Sequence, residues 1–285
     1  MILGALLLLV VGSADLVRVA RLGRAAATVV VLVLWGALAA VAVTGLGVPW
    51  WWAVVVAGFA AVWLATTSAK ADVRRASGIL PGIGVLVVVA VSLVSGPLLF
   101  EARGFLVDWH ASAPPAVGAV PLETLVFALG ALVFLIESSN IIVRAALRPA
   151  VEESDAADAA LAVAAAEADG APRQSAASER EASAPPRRHW WSRPTAPVAA
   201  PVPIPDLKGG RLIGPLERLL IVALTLAGAL PIVAGVFAAK GIVRFPEISA
   251  DGARGSKAEY FLVGSLVSWS LALALAGGIW ISAQS

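Results

Sequence analysis

The sequence predicts an all-α, polytopic transmembrane helical bundle of eight spans (seven is the alternative) interrupted by a disordered cytoplasmic linker. Three observations lead there. Of 285 residues, 59% are hydrophobic and only 14% are charged, whereas a soluble domain carries about a quarter. Apolar runs approach the ~20 residues that cross a bilayer, and residues 25–48 contain no charge at all. Basic residues gather in alternate connecting segments, the pattern that fixes orientation in a membrane.

The first span covers residues 2–17. Its basic residues follow the apolar run instead of preceding it, the reverse of a signal peptide. Arg18, Arg21 and Arg24 lead into a second span at 25–48, and the uncharged turn TGLGVPW leads into a third at about 50–67. Trp50, Trp51 and Trp52 stand where indoles favour the headgroup boundary. After SAKADVRRAS comes a fourth span near 79–99, then the loop FEARGFLVDWHASAPPAVGAV, balanced in charge and broken by Pro-Pro. A fifth span, 122–142, ends in VRAALRP. Under simple alternation the RVARLGR, AKADVRR and VRAALR segments share one side. The positive-inside tendency makes that side cytoplasmic and the N-terminus extracytoplasmic, in a plasma (inner) membrane. The bias towards arginine, alanine and valine fits a GC-rich bacterial genome.

This gives an N-terminal membrane domain of five helices (1–149), a linker (150–208) and a C-terminal membrane domain of two or three helices (209–285). VEESDAADAALAVAAAEADG is acidic and alanine-rich, with the makings of a transient helix. The stretch after it is rich in Pro, Ala, Ser and Arg, buries too little apolar area to order itself, and reads as an extended tether to an unknown cytoplasmic partner. Within it, Arg187, Arg188, Trp190 and Trp191 form a cluster suited to anionic lipid headgroups, each basic residue contributing about 1 kcal/mol. A solvated basic patch is the plainer reading. The net charge of +2 reports membrane topology here, with no nucleic acid as partner.

Residues 212–245 as one straight helix would reach ~50 Å, against a hydrocarbon core of ~30 Å. Gly228 and Pro231 offer a turn between two short helices, 213–229 and 231–245. The other reading is a single span ending near 237, with KGIVRF in the far interface. Loop charge favours the hairpin, which keeps the basic segment after Phe245 in the cytoplasm. The last span is 260–281 in both.

The charges inside these apolar stretches are the candidate site. Lys240 and Arg244, four apart on one helix face, fall within reach of Glu217 and Arg218 in the hairpin. Glu137, Asn140, Arg144 and Arg148 line one face of the fifth helix, and Asp15 precedes Arg18 by three. Asp15, Glu137, Asn140, Arg144, Glu217, Arg218, Lys240 and Arg244 thus compose a candidate polar pocket facing the cytoplasm. The plainer alternative is that they anchor helix ends by snorkelling.

No catalytic, cofactor-binding or metal residues stand out. Cysteine is absent, which removes disulfides and thiolate ligands, and the histidines are His110 and His189 only. No phosphate-loop, nucleophile-elbow or zinc-helix motif occurs. His110, beside Asp108 in its loop, is either a proton shuttle or simply solvated. Gly264, Ser268, Ala272 and Ala276 form a small-residue ridge for an internal seam or a homodimer. The expected function is a non-enzymatic scaffold or regulatory component. A small-solute or ion transporter with an inward-facing charged pocket is the alternative, and a membrane-embedded enzyme ranks third.

In the C-terminal third, GRLIGPLERLL, AAKGIVRF and EYFLVGSLVS follow one another with characteristic spacing. This part of the chain resembles an uncharacterised bacterial polytopic membrane-protein family, a domain of unknown function. The resemblance implies a polytopic membrane fold without an assigned activity, and makes the charged stretch around Glu217, Arg218, Lys240 and Arg244 a family feature. Members of that family usually carry a histidine, an aspartate and a glutamine around their first helix, where GSADLVR here offers Asp15 alone.

Overall fold

The computed structural model describes residues 1–20, 22–68, 79–170, 210–250 and 256–284. The remainder of the expected linker, 171–208, lies outside the described residues. So does the cluster of Arg187, Arg188, Trp190 and Trp191 expected on lipid headgroups. Among the described residues the chain is helical and contains no strand.

The helices are α1 (Ile2–Val19), α2 (Arg24–Leu46), α3 (Trp50–Thr66), α4 (Leu80–Leu99), the short α5 (Phe105–Ala111) and α6 (Pro115–Gly118), α7 (Leu122–Ile136), α8 (Ser138–Gly170), α9 (Gly210–Leu226), α10 (Leu230–Ala250) and α11 (Ser256–Ser282). Among the described residues, three helical segments are long and apolar enough to cross a membrane: α1, α2 and Ala258–Ser282 of α11. The pair α7 and α8 meets the same test as one span bent by 49°. Shorter apolar helices are α3 and Leu80–Ser95 of α4.

Alpha-1 is the axis of the bundle. It is apolar on every side, so it has no face to turn outward, and every residue from 2 to 15 is buried. Helices α2, α3, α4 and α7 pack around it. The α1–α7 crossing is close because its contact points are glycines. A Cβ on Gly12 would stand 2.9 Å from the backbone nitrogen of Phe134, and one on Gly130 would stand 2.6 Å from the carbonyl oxygen of Ala5. The pairings give directions as well. Asp15 meets Trp63, so α1 and α3 run together. The amide of Gly4 donates to Ser92 Oγ near the far end of α4, and Thr124 Oγ1 at the start of α7 donates to the carbonyl of Ser282 at the end of α11. Alpha-4 therefore opposes α1, and α11 opposes α7.

Alpha-11 closes the core from the C-terminal side, against α7, α8 and α9. Of the small-residue ridge, Ser268, Ala272 and Ala276 are buried, and Gly264 lies 3.5 Å from the Leu147 side chain when a Cβ is placed on it. The ridge is an internal seam. Buried residues from both sides of the linker join one continuous core. The chain turns between α9 and α10 at residues 227–229, where Gly228 takes φ +71°, a left-handed conformation that costs glycine nothing. The two helices then double back on one another.

Two expectations change. The fifth span is not one helix over 122–142: it breaks at Glu137, whose backbone (φ −124°, ψ −41°) leaves the helical path. Ser138, Ser139 and Asn140 follow, residue types whose side chains compete for backbone groups. The boundary at 149/150 is also crossed without interruption, because α8 is a single helix of 33 residues through Gly170. Pro149 sits inside it. In the loop, His110 is held in place, with Nε2 donating to the carbonyl of Val120 at 2.8 Å.

If the α1–α7 approach sets the core, Gly130→Ala should lower stability in detergent by about 1–3 kcal/mol through overpacking. Gly36→Ala, where an added Cβ meets nothing within 4 Å, should leave the melting curve unchanged. Thermal unfolding of the two variants beside the wild type is the measurement.

Candidate functional site

Buried and half-buried charged side chains among the described residues, with the polar side chains they bond to, form one belt across six helices, with the α7–α8 break at its centre. A helix that stops leaves its last four carbonyls without partners, and in an apolar interior each must find a donor. Ser139 Oγ donates to the carbonyl of Leu135 at 2.7 Å, and Asn140 Nδ2 donates to that of Ile136 at 3.1 Å. The third donor comes from another helix. Arg218 of α9 reaches in with Nε to the Leu135 carbonyl (3.0 Å), Nη2 to Asn140 Oδ1 (2.6 Å) and Nη1 to Ser268 Oγ of α11 (3.3 Å). At 2% exposure it is among the largest fully buried side chains of the protein. Alpha-9 delivers it there because Arg218, Ile221 and Val222 share the buried face of that amphipathic helix.

Glu137 occupies the break itself. Its carbonyl accepts the amides of Asn140 (2.9 Å) and Ile141 (3.3 Å), which starts α8. Its carboxylate sits at the amino end of that helix, the favourable end for an anion, and accepts from Asn140 Nδ2 at 3.3 Å. Arg144 Nη2 approaches Glu137 Oε1 at 3.8 Å. Of the expected stripe on one helix face, Asn140, Arg144 and Arg148 remain on α8 while Glu137 is at the bend. Arg148 pairs outward with Glu152, at 2.7 Å.

Ser138, next along the chain, connects the break to α1. Its hydroxyl donates to Asp15 Oδ2 at 2.7 Å, where Trp63 Nε1 of α3 also donates at 2.9 Å. Arg18 Nη1 donates to Asp15 Oδ1 at 3.0 Å. Asp15 is 0% exposed, so all this partnering replaces water. Arg18 also closes the carboxyl end of α3, donating to Thr67 Oγ1 (3.1 Å), to the Thr67 carbonyl and to the Leu64 carbonyl (3.4 Å). A cation there is favoured by the helix dipole as well as by the free carbonyls.

Glu217 faces the other way from its neighbour Arg218, towards α10. Lys240 Nζ donates to both of its carboxylate oxygens, at 2.9 and 2.7 Å, and Trp269 Nε1 of α11 donates to Oε1 at 2.7 Å. Phe237 stacks on the Trp269 ring at 4.1 Å, and the ammonium of Lys240 lies 5.4 Å from that ring's centroid.

Seven of the eight expected residues therefore lie in the belt: Asp15, Glu137, Asn140, Arg144, Glu217, Arg218 and Lys240. Arg244 lies one turn beyond Lys240 on the exposed stretch of α10. Sequence reasoning paired Asp15 with Arg18 and brought Glu217 to Lys240, but missed the uncharged partners Trp63, Thr67, Ser138, Ser139 and Trp269. For Trp63 a signal existed, since an indole within an apolar helix needs an acceptor. Comparison with known proteins finds no matching family model, no matching curated protein and no matching solved structure.

Asp15→Ala would take a buried carboxylate from a half-buried guanidinium, an indole N–H and a hydroxyl at once. The expected loss is about 3–5 kcal/mol, typical of breaking a buried ion pair from one side. Glu101→Ala removes the carboxylate of the exposed Glu101–Arg103 pair and should be silent. Denaturant or thermal unfolding of both variants separates the two cases.

Proposed function

We propose that the chain is a multi-pass bacterial inner-membrane protein of eight spans that works without catalysis, as a scaffold or regulatory component. Helices α1 to α4, the α7–α8 pair, α9, α10 and α11 count one span each. Alternation then sends α1, α3, α7–α8 and α10 one way and the others back, with the N-terminus extracytoplasmic. The parallel course of α1 and α3, and the opposition of α4 to α1 and of α11 to α7, support that order. The turn at Gly228 supports eight spans over seven. The polar belt then lies at one depth, towards the cytoplasm. The resemblance of the C-terminal third to a membrane-protein family of unknown function belongs to the same proposal, with Glu217, Arg218 and Lys240 as its common feature.

The observation that carries the scaffold reading is α8. Its first turns are part of the core, with Ser138, Ser139, Ile141, Ile142 and Leu147 buried. From Glu152 onward its described side chains are exposed, the acidic Glu152, Glu153 and Asp155 among them. Thirty-three residues of helix extend ~50 Å, so one continuous helix, with Pro149 inside it, links the buried pivot to a water-facing acidic arm. A charge cluster whose members satisfy one another suits the holding of that pivot. We read residues 171–208 as a tether continuing from the arm to a cytoplasmic partner, with Arg187, Arg188, Trp190 and Trp191 on anionic lipid. Deleting residues 171–205 should leave the melting temperature of the membrane domain unchanged and remove a co-purifying protein. Identical pull-downs with and without the segment would take away the basis of this reading.

One observation favours a transporter as the second reading: a broken helix with a buried carboxylate, Glu137 at 4% exposure, inside a bundle. Under that reading Glu137→Gln abolishes solute uptake into proteoliposomes, whereas the scaffold reading expects no uptake for either form.

A further inference from the structure

Arg18 and Arg218 solve the same problem at two places. Each guanidinium closes the carboxyl end of a helix on another part of the chain, α3 in the first case and α7 in the second. They differ in their acceptors. Arg18 shares its site with the carboxylate of Asp15. The three hydrogen bonds of Arg218 go to neutral oxygens: the Leu135 carbonyl, the Asn140 amide oxygen and the Ser268 hydroxyl.

Those three oxygens come from α7, α8 and α11, and none from α9, which carries Arg218. The walls of the site are therefore built independently of its occupant. Leu135 (0% exposure) and Ser268 (6%) are buried, and Asn140 is half-buried. Gly214, one turn before Arg218, borders the site: a Cβ there would lie at ordinary contact distance, 3.5 Å from Nη1 and 3.7 Å from Asn140 Oδ1. The dipole of α7 adds negative potential at the same point. Broken membrane helices elsewhere coordinate free cations at such ends. Here the cation is attached to the chain.

We propose that the carboxyl end of α7 is a cation-binding site of the guanidinium class, which Arg218 fills as a tethered occupant. Each oxygen accepts from a different nitrogen, Nε, Nη1 or Nη2, so the site selects a planar cation with several donors. A spherical ion cannot meet all three walls at once. Freed of its tether, the site takes guanidinium from solution.

The test uses the full-length protein in detergent, comparing wild type, R218A and the double variant R218A/N140L. Low-millimolar guanidinium or methylguanidinium, far below denaturing levels, is added, with urea or sodium chloride at matched concentration as comparisons. The expected result is a lowered melting temperature for R218A that guanidinium raises saturably by several degrees. Urea and sodium chloride should not raise it, the wild type should not respond, and R218A/N140L should lose the rescue. Equal rescue by sodium chloride, or destabilisation of R218A by guanidinium to the same extent as the wild type, would overturn the proposal. If R218A does not accumulate in cells, its yield from cell-free synthesis into nanodiscs becomes the readout. Recovery with guanidinium supports the site, and no recovery overturns it.

Discussion

A hydrogen-bonding constraint at the α7–α8 break organises the interior of this protein. A chain in an apolar medium cannot leave a helix without supplying partners for the carbonyls it exposes, because no water is present to take them. At Glu137 the path bends by 49°, and the carbonyls of Leu135 and Ile136 are met by Ser139, Asn140 and Arg218. Two of those donors are local. The third fixes α9 to the break, and through Ser268 it fixes α11 as well. One interruption in one helix thereby becomes the joint at which three others meet.

The charges around that joint obey a single rule. A buried ion is costly unless its partners are close and its hydrogen-bonding capacity is used. Asp15 gains an arginine, an indole and a hydroxyl, while Glu217 gains a lysine and an indole. Neighbours in sequence then face different ways. Arg218 binds to α7, α8 and α11, and Glu217 binds to α10 and to Trp269 of α11. Alpha-10 needs that tie, since Val233 is its one buried residue among those described, and Phe237 and Lys240 add contacts to Trp269 and Glu217. The same joint orients α8, whose exposed arm inherits its direction from the core. A change at the break would reach the arm without any loop between them.

Much of the architecture was legible in the sequence because apolar period and length carry it. Helices α1 to α4 start and end within a few residues of their expected bounds, and the Gly228 turn falls between the two short helices expected at 213–229 and 231–245. Ion pairs close in sequence or set by the hairpin, Asp15 with Arg18 and Glu217 with Lys240, were legible for the same reason. The break was not. Residues 122–142 carry no proline after residue 121, and a count of apolar positions cannot register the competition of Ser138, Ser139 and Asn140 for the backbone. Nor could the sequence give Arg218 its partners, because a carbonyl acceptor has no residue signature. The length of α8 was legible only in part: its alanine-rich acidic half reads as a transient helix of the linker, yet it continues a helix already nucleated in the core.

The central claim is that Arg218 and Asn140 act together to close the break. A double-mutant cycle measures it most directly, with Arg218→Ala, Asn140→Ala and their combination compared by reversible unfolding in detergent. The account predicts that the two losses fail to add, with a coupling of about 1–3 kcal/mol between the sites. Losses that add within experimental error would show that the two side chains act independently, and would contradict it.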